Sequence, residues 1–245
     1  MKVVVKLGGS VITEKEQRET VDEDSLADLA AAIADADVAD LVVVHGAGSF
    51  GHPVAAEHGT SSTEGTTDPQ AVRDIAGVME RLNRAVVGAL ADASVPAVPV
   101  HPYSAGYRTA DGDLRLPTDQ VAAMLDEGFV PVLHGDVLTH AGEGASILSG
   151  DEIVTHVAGD LAADRVGICS TVPGVFDESG DVVPEITSYE DVAAALGGSD
   201  ATDVTGGMAA KVRALLDLGA PAFVFGPDAM RAFLAGEDAG TRIEG

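Results

Sequence analysis

The sequence predicts an α/β protein, an open sandwich with a mostly parallel sheet covered by helices on both faces. Short, almost wholly apolar runs such as Val3–Leu7 and Leu41–His45 recur along the chain, as strands buried on both faces require. Helical patterns of the type VDEDSLADLAAAIADA separate them, with apolar residues at helical spacing and acids between. Glycine-rich turns follow several of the strands, which is where such sheets place their ligands.

In chain order, Val3–Leu7 reads as a strand and Val21–Ala36 as an acidic amphipathic helix. Leu41–His45 is the next strand. A polar stretch, His58–Asp68, reads as a mobile loop before a long helix, Pro69–Ala91, which carries Val72, Ile75, Met79, Leu82 and Val86 on one face. Val95–Val100 reads as a strand. Tyr103–Leu116, with Asp111-Gly112 at its centre, reads as a hairpin. Thr118–Glu127 is helical, Val130–Leu133 a strand, and Ala141–Gly144 the tip of a second hairpin. Asp151–Leu161, Ser188–Leu196 and Gly207–Leu218 read as helices, with Arg165–Ser170 and Ala222–Phe225 as strands. Residues 1–245 are read as one domain, without internal repeats or a disordered linker.

Composition narrows the class. Forty acidic residues against 14 basic ones give a formal net charge of −26, a surface that repels nucleic acid and anionic membranes. Such a balance suits a salt-rich cytoplasm, because at molar salt the Debye length falls to roughly 3 Å and self-repulsion is screened. No apolar run is long enough to span a bilayer, and MKVVVKLGG predicts a strand with no secretory leader. The single cysteine, Cys169, sits in the apolar run VGICS and reads as a buried thiol in a reducing compartment.

Three loops carry chemistry. In VVVKLGGSVIT, Lys6 ends a strand and Gly8-Gly9-Ser10 follow; backbone amides in such a turn make an anion nest, to which Lys6 adds a point charge. Lys15 lies within reach of the same anion. In LVVVHGAGSFGHP, Gly46, Gly48 and Gly51 have the spacing of a dinucleotide fingerprint. That fingerprint needs a helix directly after its last glycine and a strand ending in an acid roughly 20 residues on. Here the turn meets His52-Pro53 and the polar loop, and no such strand follows. The third loop, DVTGGMAAK, opens a helix with two glycines and places Lys211 one turn in, where helix amides favour phosphate. Taken singly, each could be a structural turn. Together they provide positive charge and aligned amides for several phosphates, the inventory of phosphoryl transfer.

KLGGS (Lys6–Ser10), GAGSFGHP (Gly46–Pro53), GD (Gly135-Asp136), LSGDEI (Leu148–Ile153) and DVTGGMAAKV (Asp203–Val212) together resemble the amino acid kinase superfamily, and within it the archaeal-type isopentenyl phosphate kinases, over essentially the whole chain. SFGHP is the narrower motif. The resemblance implies the amino acid kinase fold, a homodimer and a cytoplasmic enzyme of isoprenoid biosynthesis that uses ATP and Mg²⁺. It implies an acceptor lobe at about 1–160 and an ATP lobe at about 161–245. By similarity, Lys6, Gly8, Gly9 and Ser10 hold the transferring phosphates, Lys15 stabilises the transition state, and Gly207 and Lys211 grip ATP, with Ala47, Gly48 and Thr171 also near the nucleotide. Gly46, Ala47, Gly51, His52 and Gly150 surround the acceptor phosphate, and Lys6, Lys15, His52 and Lys211 form the catalytic set. Asp151 and Asp136 orient lysines or metal. Val72, Ile75, Met79, Leu82 and Val86 are candidates for the wall of an isoprenoid pocket.

The family pattern is broken at Thr171-Val172-Pro173-Gly174, where relatives carry an acid in place of Pro173. That bears on nucleotide contacts through Ser170, Thr171 or Asp177. His45, His101, His134, His140 and His156 show no metal-ligand spacing, and no protein metal site is expected. The reaction expected is transfer of the γ-phosphoryl of ATP to isopentenyl phosphate. The alternatives are a related kinase acting on uridylate or a small phosphonate, and a nucleotide-binding regulator without catalysis.

Overall fold

The computed structural model describes residues 1–196 and 207–245. Its strands are β1 (Lys2–Leu7), β2 (Asp40–His45), β3 (Ala97–Pro99), β4 (Tyr107–Arg108), β5 (Leu114–Arg115), β6 (Val130–His134), β7 (Asp136–His140), β8 (Gly144–Leu148), β9 (Arg165–Cys169), β10 (Glu185–Ile186), β11 (Ala222–Phe225) and β12 (Thr241–Ile243). Its helices are α1 (Gly9–Ile12), α2 (Glu23–Ala34), α3 (Gly48–Glu57), α4 (Pro69–Asp92), α5 (Pro102–Ala105), α6 (Asp119–Asp126), α7 (Gly150–Asp160), α8 (Ala193–Leu196), α9 (Gly207–Leu216) and α10 (Met230–Leu234).

An eight-stranded sheet in the order β10-β12-β11-β9-β1-β2-β6-β3 forms the middle layer. Its pairings are parallel except between β11 and β12. The period-2 alternation of strands sorts its side chains between two cores. Val3, Val5 and Leu7 of β1, Leu41 and Val43 of β2, and Phe223 and Phe225 of β11 pack with α2, α3, α4 and α10 on one face. Val4, Val42, Val44 and Val224 pack with α6, α7 and α9 on the other. A smaller four-stranded sheet, β5-β4-β7-β8, contains both expected hairpins.

Three expectations are corrected. The segment after Gly46 is a helix, α3, running from Gly48 through Gly51, His52 and Pro53. One argument against a dinucleotide site, the missing helix, therefore falls; the other stands, since α3 leads to α4 and the next strand is β3. Proline is tolerated mid-helix because the carbonyl that its absent N–H leaves open, Ser49 O, accepts from Glu19 N at 3.0 Å. The second correction concerns residues 58–68, which are tied down. Thr66 and Ala145 exchange both backbone hydrogen bonds, at 2.8 and 2.9 Å, and Ile147 N donates to Ser61 O at 3.0 Å. The open edge of β8 offers backbone groups that need partners, and this segment supplies them. Ser188–Leu196 is a 3₁₀ turn, Tyr189–Asp191, followed by α8. Among the described residues, no helix is long and apolar enough to cross a membrane.

The inner face of α4 is core along most of its length: Leu82 and Val86 are fully buried against the sheet, with Val72 packed at the margin. Leu82→Ala should therefore cost about 2–5 kcal/mol of folding stability, measured by denaturant unfolding in concentrated KCl; a loss under about 1 kcal/mol would take Leu82 out of the core.

Candidate active site

The carboxyl ends of β1, β2, β6 and β9 open into a cleft of about 320 Å³. Lys6, Gly8, Gly9, Ser10, Gly46, Ala47, Gly51, His52, Gly135, Asp136, Gly150, Asp151, Ser170, Thr171 and Lys211 line it. The glycine turns that were separate in sequence meet here, because β1 lies between β2 and β9 in parallel register.

Two of these turns pack backbone on backbone. A Cβ on Gly9 would lie 2.1 Å from Gly48 N, and one on Gly48 would lie 2.6 Å from Gly9 O and 2.2 Å from Thr13 Oγ1. Gly48 also has φ +49, a backbone state that favours glycine. The Thr13 hydroxyl clasps both turns: it donates to Gly9 O at 2.8 Å and accepts from Ser49 N at 3.0 Å. Gly48 therefore serves this contact and does not line the cleft. Gly51 leaves room for Met79, whose Sδ would lie 2.7 Å from a Cβ there.

Asp151 organises the cations. Lys6, almost fully buried, puts Nζ 2.7 Å from Asp151 Oδ1, and Lys211 Nζ lies 4.0 Å from Oδ2. Burial pushes the Asp151 carboxyl up, but Lys6 and then Lys211 outweigh this and hold it below its ordinary value. Asp151 stands in the first turn of α7, whose start is fixed by a reciprocal cap between Ser149 and Glu152. Gly150 leaves the Lys6 side chain room to pass, since a Cβ there would lie 3.2 Å from Lys6 Cε. The N-termini of α3 and α7 both face the cleft, adding positive dipole ends to the lysines.

Asp136 forms another part of the wall. Its oxygens accept from Val137 N at 2.8 Å and Tyr103 N at 3.2 Å. Burial, reinforced by the charge of Glu80 and opposed by those two N–H groups, pushes its carboxyl up to about 7.

Of the remaining expected residues, Lys15 is exposed in the 14–20 loop just beyond Thr13 and does not line the cleft. That loop is held to α3 by Glu19 N on Ser49 O and by the Arg18–Glu57 ion pair. Gly207 opens α9 with φ +65, outside the lining. Asp203 to Gly206, the first part of the third glycine motif, lie outside the described residues. Ser170 and Thr171 line the cleft; the exposed Asp177 does not. Ile75 and Met79 form an apolar wall with Ala55 and Ile147 beside His52, while Val72, Leu82 and Val86 belong to the core. Sequence reasoning missed two things, the apolar contribution of Ile147 and the buried pair His45 and His134. Both histidines end strands at the cleft, a position that could have singled them out. Among the described residues, no group of three or more His, Cys, Asp or Glu side chains is placed to hold a metal ion.

The model of the amino acid kinase family matches residues 1–220. The chain is 63% identical to an isopentenyl phosphate kinase of Haloferax volcanii, over 99% of this chain and 98% of that one. It is 35% identical to an isopentenyl phosphate kinase of Methanothermobacter thermautotrophicus, over 99% of both. A solved structure described as an X-ray structure of isopentenyl phosphate kinase superposes with a TM-score of 0.81 at 29% identity, covering 99% of this chain and 100% of that one.

The cleft carboxyl and the buried histidines give stability opposite pH slopes. The unfolded chain releases an aspartate proton near about 3.9, whereas native Asp136 keeps its proton up to about 7. Between those values the native state binds more protons, so this contribution falls as pH rises and is flat above. His45 and His134 are held neutral down to about 4 and about 3, so the unfolded chain binds more protons below about 6.5 and stability falls as pH drops. Asp136→Asn should remove the first slope and leave the second, making stability rise more steeply with pH between about 4 and 7 than in the wild type. Thermal unfolding at fixed KCl reads this; parallel curves would mean that Asp136 titrates as an ordinary aspartate.

Proposed function

The chain belongs to the amino acid kinase family, and on that premise we propose that it transfers the γ-phosphoryl group of ATP to isopentenyl phosphate, giving isopentenyl diphosphate and ADP. The observation that supports this reading is one cleft in which clamped lysines and glycine turns adjoin an apolar wall of Ile75, Met79, Ala55 and Ile147. The 63% identity to the Haloferax enzyme points the same way.

The acceptor is a phosphate monoester whose second pKa is near about 6, so at neutral pH its attacking oxygen is already an anion. No general base is needed; repulsion between two anions must be offset, and the reacting groups must be held in line. Lys6 lies between the two anions in this reading, fixed by Asp151, and Lys211 approaches from the nucleotide side. Gly8, Gly9 and Ser10 hold the transferring phosphates with backbone amides. Gly46, Ala47, Gly51 and Gly150 cradle the acceptor phosphate, and His52 donates a hydrogen bond to it. Lys15 reaches in from the rim to stabilise charge in the transition state. Ala47, Thr171 and Gly207 stand on the nucleotide side, with Gly48 supporting the Ala47 turn from behind, and with ATP on residues about 161–245 and the acceptor on about 1–160.

Mg²⁺ enters this reading as the counter-ion of ATP, neutralising β- and γ-phosphate charge; Asp151 is engaged by two lysines, and a small, strongly hydrated ion of this kind is commonly held through substrate phosphates. We extend the reading to a homodimer in the cytoplasm, as the family resemblance implies. The single buried Cys169 suits a reducing compartment.

The test is ADP release with ATP and Mg²⁺ in concentrated KCl, comparing isopentenyl phosphate with uridylate, small phosphonates, acetylglutamate and no acceptor. Turnover confined to isopentenyl phosphate is expected. Turnover with uridylate or a phosphonate instead would discard the apolar pocket, and silence with every acceptor in folded protein would favour a regulator. His52→Ala should lower kcat by about 10²-fold or more while unfolding stays unchanged; near-normal turnover would remove His52 from the mechanism.

A further inference from the structure

Beneath the cleft lie two buried histidines that the proposed chemistry does not use. His45 ends β2 and His134 ends β6, opposite each other in register, and their rings stack with centroids 5.5 Å apart. Each ring does the same thing. His45 Nδ1 lies 3.0 Å from Gly46 O, and His134 Nδ1 lies 2.9 Å from Gly135 O. A carbonyl oxygen only accepts, so both Nδ1 atoms carry a proton. Both rings are wholly shielded from water, and the cost of burying a charge keeps them neutral. Each Nε2 is therefore a lone-pair acceptor.

The neighbours agree with that assignment. His101 Nδ1 lies 3.0 Å from His134 Nε2 and donates to it. Asn83 faces His45 Nε2 at 3.1 Å through Oδ1, an acceptor against an acceptor, while its buried Nδ2 has no partner. Turning the amide over resolves both: Nδ2 donates to His45 Nε2. Asn83 is thus a completely buried polar residue on α4 with a reason to be there.

The consequence falls on the cleft. Gly46 O is drawn inward by His45, and the Gly46–Ala47 peptide bond is trans. In a trans peptide the C=O and the following N–H point in opposite directions. Fixing Gly46 O toward the core therefore turns Ala47 N–H outward, toward the cleft that Ala47 lines. We propose that His45, oriented by Asn83, is a positioning residue that presents the Ala47 amide to the acceptor phosphate, with His134 and His101 holding the Gly135 turn beside it in the same way. This rests on the reading of the cleft as a phosphate-acceptor site.

Two measurements test it. In uniformly ¹³C,¹⁵N-labelled wild-type protein at pH 7, His45 and His134 should both be Nδ1–H tautomers, each ring assigned by through-bond correlation to its own backbone amide. An Nε2–H tautomer at His45 would overturn the proposal, and this result does not depend on any variant staying folded. In kinetics, His45→Gln removes the donor at the Nδ1 place and should raise KM for isopentenyl phosphate about tenfold or more, with KM for ATP changed less than about twofold. His45→Asn puts an amide nitrogen at that place and should bring KM for the acceptor most of the way back. Equal changes in both KM values, or no rescue by His45→Asn, would mean that His45 supports the fold alone. A wild-type chain silent with isopentenyl phosphate would remove the acceptor role together with the proposed function, whatever the tautomers.

Discussion

The contact on which the cleft depends is the approach of two main-chain turns with no side chain between them. Gly9 and Gly48 occupy each other's Cβ space, and the Thr13 hydroxyl bonds to both sides of the contact. The contact is available only because β1 and β2 run parallel and in register, so their ends arrive at the same level. Backbone groups packed this closely present amides at a density that side chains could not match, which is why glycine is needed there and lysine only nearby. A methyl group on either glycine would push the turns apart and dissolve the floor of the site.

Charge is arranged around that floor with equal economy. The chain carries a formal net charge of −26, yet its cleft concentrates cations. Burying Lys6 without a partner would be costly, and Asp151 removes that cost by meeting Lys6 and Lys211 together. The carboxylate also keeps both ammonium groups in place before an anion arrives, so little reorganisation remains to be done when substrate binds. The acidic exterior is a separate matter, governed by solvent and screened at high salt.

Much of this was legible in the sequence. Apolar runs broken by glycine turns identified the sheet, and Lys6, the GGS turn and the GHP stretch identified three sides of the cleft. What escaped the reading did so for physical reasons. The residues of α3 include two glycines and a proline, all of which read as turn; only tertiary partners, Thr13 and Glu19, make a helix of them. The segment 58–68 is polar throughout, and its order comes from an edge strand remote in sequence. His45 and His134 look like ordinary strand residues until their register across β2 and β6 is known. Within α4, periodicity marked one continuous face, but the cleft reaches only Ile75 and Met79, a division set by where α3 crosses. Lys15 was singled out by its nearness to the glycine turn; it is exposed on the loop beyond Thr13 and does not line the cleft.

That loop is where Pro53 has its effect. By leaving Ser49 O open, the proline gives the chain a mooring for Glu19, while Thr13 is moored to the glycine turns at the other end. Lys15 rides on the short tether between these two points. Two residues from Thr13, its Cα cannot stray more than about 7 Å from that anchor. An ammonium group held on so short a line stays within a small volume around Thr13 and the glycine turns that Thr13 clasps. A residue usually regarded as a helix breaker thus sets the range of a cation that it never touches.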